Sequence, residues 1–563
     1  MALSVGRVIV SALGSIPVCQ SDGVASRHRP RVVESVHSAP NCRSIWPAAV
    51  STVDDLRVLR RMRLGEVERF LSRVRRDSLE GLVMVDALQR LAVDYHFENE
   101  IGAILEVQHQ VFSAQGDHHE QALRFRLLRQ EGYDVSLDIV ETFGLDLGRR
   151  LGREDILHLT SLHEASHLCM EGEDVLLRSG EITGRLLKAA LNKITNHKQA
   201  EFVKNTLQHP FHKSLPIFTS RSSRNWYSSW SNYPWNNALL ELAHIDSDIT
   251  KAVYQREVLQ ITTWWKDLGL GKELRFARDQ PVKWYMWAAG IVADPRLSDE
   301  RVELTKAISL IYIIDDVFDI FGTLDELVLF ANSVSRWSPD ENLPDVMRAC
   351  FRALDSVTNG ITEGAYQRWG CNPVTSLRKS WGRLVEAFLV EARWFASRTS
   401  PTTEEYLRNA VVSSGMQVVL IHVFFLLGKG ITERNVNALD SGPGIVSSPA
   451  TILRLWDDLG SAKDENQDGH DGSYVVYYKQ ERPGCSDGHA RAHVKDLITT
   501  EWKKLNKECL FPCGEFPKPF RKACLNAARM VPMMYDYEDD HSLPILEKNM
   551  DSLLFRKSHN QEA

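Results

Sequence analysis

From about residue 52 onward, apolar side chains recur at three- and four-residue steps, the spacing that lines one face of an α-helix. RVLRRMRLGEVERFLSRV and LEGLVMVDALQRLAVDYHF show it, as do ALLELAHIDSDITKAVYQREVLQITTWWKDLGL and EYLRNAVVSSGMQVVLIHVFFLLG. Alternating β patterns are nearly absent, and neither a short repeat period nor a glycine-rich phosphate loop is visible. The pattern predicts an all-α protein. Residues 209–237, basic, Ser-rich and aromatic, are the least helix-like interior stretch and are expected to connect helices. The domain boundary is expected around 240–260. This leaves residues 1–45 as a leader, 46–250 as an N-terminal helical domain and 251–563 as a C-terminal domain.

Three places resist a simple helix. Ser413-Ser414-Gly415 interrupts an apolar helical run and permits a kink or a close backbone approach. Residues 464–484 carry turn residues suited to a mobile lid, and 536–544 form an acidic loop. The run NAVVSSGMQVVLIHVFFLLG holds Ser413, Ser414, Gln417 and His422 and reads as a buried core helix, short of a membrane span.

The 563 residues exceed one compact core, which favours two domains. A net charge of −7 gives no basic surface of the kind nucleic acid needs. Nine cysteines are scattered without a CxxC pair, which reads as free thiols in a reducing compartment. The first 33 residues hold Arg7, Arg27, Arg29 and Arg31, several serines and one acid, Asp22. That bias is one of a transit peptide, with a disordered N-terminus of no particular meaning as the alternative.

Two acidic clusters change the picture from fold to chemistry. Asp315-Asp316-Val317-Phe318-Asp319 lies in ISLIYIIDDVFDIFG, and Asp457-Asp458 opens DDLGSAKDE. Residues four apart share a helix face, so Asp315 pairs with Asp319, and Asp457 aligns with Ser461 and Glu465. Both clusters sit in apolar sequence, where carboxylates need a cationic partner. All the donors are oxygens, which suits Mg²⁺ shared with substrate phosphates. If the two faces converge, they hold several divalent ions against a diphosphate and stabilise it as a leaving group. A cavity lined by Trp and Tyr would receive the carbon chain, and aromatic faces attract a transient cation. Arg278 and Lys283 in FARDQPVKWYMW, and Arg454 three residues before Asp457, are candidates to complete the anion site. For Arg454 and Lys283 the plain alternative is a surface charge on a helix.

At these residues the chain resembles a plant terpene synthase of the class I type. DDVFD is similar to that family's aspartate-rich motif and DDLGSAKDE to its second metal motif. LRFRLLRQEGYDVS, LHEASHLCMEGED, LLELAHIDSDI, WWKDLGL and MVPMMYDYEDDHSLP resemble family segments in order. The resemblance implies an α-barrel-like N-terminal domain and a C-terminal helical bundle that does the chemistry. It implies three Mg²⁺ ions, with Mn²⁺ as a substitute, held by Asp315, Asp316, Asp319, Asp457, Ser461 and Glu465. It further implies that Arg278 and Arg454 contact diphosphate, and that Trp284, Tyr312 and Tyr535 form cavity wall. The expected enzyme is a monomer acting on a prenyl diphosphate, with no nucleic-acid or membrane partner, in the plastid or alternatively the cytosol.

Two departures bear on the product. The family's Arg-Asp-Arg segment reads Arg278-Asp279-Gln280, and the Arg-Arg pair expected before Trp46 reads Val36-His37. These features resemble the subgroup that makes acyclic tertiary alcohols such as linalool and nerolidol. The expectation is water capture of the allylic cation from geranyl or farnesyl diphosphate, with a cyclising synthase as the rival. A chain-elongating prenyltransferase fits less well, because the second motif carries Ser461 and Glu465. A silent helical scaffold is the alternative outside enzymes.

Overall fold

One helix, Asn236–Leu268, belongs to both halves of the molecule. Its first turns bury Ala238, Leu239, Leu242 and Ala243 in a core built from residues 67–243. Its later turns bury Tyr254, Ile261 and Trp265, and from Tyr254 the helix joins the larger C-terminal core. The computed structural model describes residues 53–111, 117–137, 153–229, 232–274, 277–461, 472–511, 516–535, 549–551 and 553–554. Among these, every regular element is helical, as the periodicity predicts.

The stretch expected to be a connector is partly helix. Pro216–Tyr227 forms one, with proline in its first turn, where the missing N–H costs nothing. Ser223, Trp226 and Tyr227 on it are buried. Tertiary burial of the aromatic residues thus overrides a Ser- and Arg-rich local composition.

The two halves are joined by buried hydrogen bonds. His212 donates from Nε2 to Asn506 Oδ1 at 2.7 Å, and Arg529 Nε donates to the His212 carbonyl at 2.7 Å. Asn506 in turn donates to the carbonyls of His167 at 3.1 Å and Cys169 at 2.9 Å. Burial, with Arg529 nearby, holds the His212 imidazole well below its ordinary pKa, and so neutral.

In the C-terminal half the helices Pro281–Ile291, Ser298–Asp316, Val374–Ser397, Thr403–Ser413, Met416–Leu427, Gly444–Ser461 and Lys518–Tyr535 surround a central cavity. The apolar run Thr403–Leu427 is mostly buried in this bundle. It breaks where Gly415 adopts φ +73°, and a Cβ there would lie 2.6 Å from Ile311 Cγ2. Glycine is thus required twice, by the left-handed backbone and by the close approach of the Ser298–Asp316 helix.

Candidate active site

The helical period decides which side chains reach the cavity. Lys283, Trp287 and Ile291 are four apart on Pro281–Ile291. Ile308, Ile311, Tyr312 and Asp315 repeat at three- and four-residue steps on Ser298–Asp316. Phe388 and Glu391 face it from Val374–Ser397, and Leu453, Arg454 and Asp457 from Gly444–Ser461. The enclosed volume is about 110 Å³. Its lining combines charged side chains with apolar and aromatic ones.

The first acidic cluster does not continue as α-helix. Val317–Phe321 is a π-helical turn, closed by the Gly322 N–H donating to the Val317 carbonyl at 3.0 Å. Such turns are uncommon and occur often at functional sites. Asp315 and Asp319 both line the cavity despite the change of helix type. Burial, with Asp315 alongside, pushes the Asp319 carboxyl up to about 7.

In each Asp-Asp pair the first residue faces the cavity and the second is tied into the scaffold. Asp316 is buried, accepts the Arg278 backbone N–H at 2.8 Å, and pairs with its guanidinium at 2.7 Å. Asp458 accepts the Tyr406 hydroxyl at 2.9 Å and the Tyr474 N–H at 2.9 Å. Burial pushes the Asp458 carboxyl up to about 7, against the pull of Arg454 and these two donors. Asp316 therefore differs from the expected metal ligand: it does not line the cavity, because one helical position rotates it toward the Arg278 segment.

Arg278 also donates to Asp315 at 2.5 Å, and Arg454 donates to Asp457 at 3.1 Å. Against the cost of burial, Asp315 and Asp316 hold the Arg278 guanidinium above its ordinary range. Burial raises the Asp457 carboxyl, with Arg454 opposing. Ser461 closes its helix with a side chain outside the described structure, and Glu465 lies outside the described residues.

Tyr312 and Tyr535 stand on the cavity wall as expected. Tyr312 accepts the Trp287 indole N–H at 3.0 Å, and its ring lies 4.9 Å from the Arg278 guanidinium. Trp284 does not reach the cavity. It is fully buried and meets Trp265 edge-on at 5.0 Å, because its helical position points into the core. Trp287, one turn further, takes the wall position.

Glu391, Phe388 and Tyr406 are among the lining residues that carried no motif. Glu391 is buried, accepts the Ser413 hydroxyl at 2.6 Å and the Asn409 amide at 3.1 Å, and burial raises its carboxyl. Phe388 and Tyr406 join it. Only the apolar period of LVEARWF hinted that this helix is packed. Nothing in it marked Glu391.

The donor chemistry fits a hard divalent cation. Asp315, Asp319, Glu391 and Asp457 offer only oxygens, and burial raises the last three by penalising their charged forms, a cost that a bound divalent cation would offset. Among the described residues no three acidic, His or Cys side chains yet converge as a ligand set. Two of the cavity carboxylates are instead drawn toward arginines.

Comparison with known proteins identifies the class. Residues 266–504 match the model for the terpene synthase family metal binding domain, and residues 39–207 match the terpene synthase N-terminal domain. The chain belongs to the terpene synthase family and is a lyase. It is 48% identical to an (E)-nerolidol synthase of Cannabis sativa, over 84% of this chain and 88% of that one. It is 46% identical to a chloroplastic S-(+)-linalool synthase of Arabidopsis thaliana, over 83% of each chain. A chloroplastic tricyclene synthase of Antirrhinum majus is 40% identical, over 85% of this chain and 84% of that one. Isoprene synthase from grey poplar, solved with three Mg²⁺ ions and dimethylallyl-S-thiolodiphosphate, superposes with a TM-score of 0.82 at 32% identity, covering 91% of this chain and 99% of that one.

Proposed function

We propose that this enzyme ionises geranyl or farnesyl diphosphate with Mg²⁺ and lets water capture the cation, releasing linalool or nerolidol. The observation that carries the reading is that one cavity is lined both by carboxylates and arginines and by apolar and aromatic side chains. Asp315, Asp319 and Asp457, with Ser461 and Glu465, are the proposed metal ligands, and Glu391 is placed to add a further oxygen. Bound there, Mg²⁺ or Mn²⁺ would withdraw charge from the diphosphate oxygens as the C–O bond breaks.

The chain's own groups do the rest. Arg278 and Arg454 bind the diphosphate oxygens, with Asp316 holding Arg278 in place. The electron pair of the C–O bond leaves with the diphosphate. The allylic cation then rests against Trp287, Tyr312, Phe388 and Tyr535, whose ring faces attract positive charge. Water adds at the internal carbon and loses a proton, before any ring closes. The acyclic outcome draws support from Gln280, from Val36-His37 before Trp46, and from the nerolidol and linalool synthase relatives. The tricyclene synthase relative shows that family membership alone does not select it.

We place the working division within the Asn236–Leu268 helix near residue 250. Residues 46–250 then support a catalytic half, 251–563, and the enzyme acts as a monomer. The basic, Ser-rich N-terminal sequence and the chloroplastic relatives support a plastid location, with the cytosol as the alternative. Incubation of the purified enzyme with each diphosphate and Mg²⁺, followed by chiral gas chromatography, is expected to give mainly acyclic alcohol. Mainly cyclic products would overturn that assignment.

A further inference from the structure

Among the described residues three cations line the cavity, and two are already committed. Arg278 is paired with Asp315 and Asp316, and Arg454 with Asp457. Lys283 is different. Its side chain is buried, it shares the cavity-facing stripe with Trp287 and Ile291, and among the described residues its ammonium has neither a hydrogen-bond acceptor nor a carboxylate partner. The Tyr312 ring lies 5.8 Å from it, the outer limit of a cation–π contact, and Asp457 attracts it through space without a salt bridge. A buried ammonium without a contacting counter-charge is costly, so an anion is the natural occupant of the space it faces. Three positions earlier Gln280 offers no charge, and its buried Oε1 has no hydrogen-bond donor.

We propose that Lys283 is a direct contact for the departing diphosphate, joining Arg278 and Arg454 among the charged side chains of the cavity lining. The inference rests on the ionisation reading above. Burial, with Arg278 nearby, pulls the ammonium down to about 8 against the attraction of Asp457, so it is still mostly protonated at neutral pH. The cation contributes while the C–O bond breaks, because negative charge then gathers on the diphosphate oxygens.

The test uses the full-length enzyme with geranyl and farnesyl diphosphates, Mg²⁺, and inorganic pyrophosphate as the inhibitor probe. Lys283→Met is expected to weaken pyrophosphate inhibition about tenfold or more, the effect of losing one charge-assisted contact. Its kcat should fall, while its thermal transition stays equal to or above that of the parent. Lys283→Arg should keep most of the inhibition, and adding Gln280→Arg to Lys283→Met should restore it. A folded Lys283→Met enzyme with parental pyrophosphate inhibition overturns the proposal and leaves the ionisation reading standing. An unmodified enzyme that releases no diphosphate from either substrate overturns both.

Discussion

The Arg278 backbone N–H donates to Asp316 Oδ2 at 2.8 Å, while the Arg278 guanidinium reaches the neighbouring Asp315 at 2.5 Å. Two adjacent carboxylates thus hold one segment in two ways. Asp316 fixes where the chain runs, and it shares the guanidinium with Asp315. The segment preceding the Pro281–Ile291 helix is fastened to the Ser298–Asp316 helix beside the cavity.

The two carboxylates should therefore fail differently. Asp315→Ala is expected to lower kcat by at least about a hundredfold, since it removes a proposed metal ligand that acts on developing charge. Asp316→Ala should chiefly raise KM, because Arg278 loses its anchor but keeps its charge. Steady-state kinetics at varied Mg²⁺ separates them. Equal losses with the same Mg²⁺ dependence would show that Asp316 acts as a ligand after all.

Gly415→Ala should be costly out of proportion to one methyl group. The residue would have to hold φ +73° with its Cβ 2.6 Å from Ile311 Cγ2. Strain and overpacking together predict a loss of about 2–4 kcal/mol. Because Ser413, Ser414 and Ile311 line the cavity, the product mixture should shift as well. Thermal unfolding and product analysis measure the two effects. A variant with parental Tm would contradict the packing argument.

His422 supplies a pH dependence. It is fully buried, its Nδ1–H donates to the Val418 carbonyl at 2.7 Å, and Nε2 has no hydrogen-bond partner. Burial pulls this imidazole down to about 4, the Val418 bond opposing. Folding therefore favours the neutral form. The unfolded ring titrates near 6.5, so stability is full above that pH and drains away as the pH falls toward 4, by about 3 kcal/mol. Urea unfolding at pH 7 and pH 4.5 should show a smaller acid loss in His422→Leu than in the parent. Identical losses would place the acid sensitivity elsewhere.

Asn506→Ala should loosen the two halves from one another. It removes the acceptor for His212 and the donor to the carbonyls of His167 and Cys169. Leaving these buried groups unpaired should cost about 2–4 kcal/mol. Calorimetry is expected to show a lower and broader transition, splitting toward two. An unchanged single transition would mean that apolar packing alone holds the interface.

Read along the chain, the three- and four-residue period determined the all-helical architecture, and the four-residue spacing of Asp315 with Asp319, and of Asp457 with Ser461 and Glu465, marked the two acidic faces. Those are local properties, written in neighbours on one helix. Tertiary structure decided what local spacing leaves open. It rotated Trp284 into the core and put Trp287 on the wall. It turned Asp316 and Asp458 into anchors, and it brought in Glu391 from a helix with no motif. It also folded Pro216–Tyr227 as helix where composition suggested a connector. The physical reason is the same each time. Which side of a helix meets a cavity, a core or a charge depends on how helices distant in sequence pack against it, and no period within one helix carries that information.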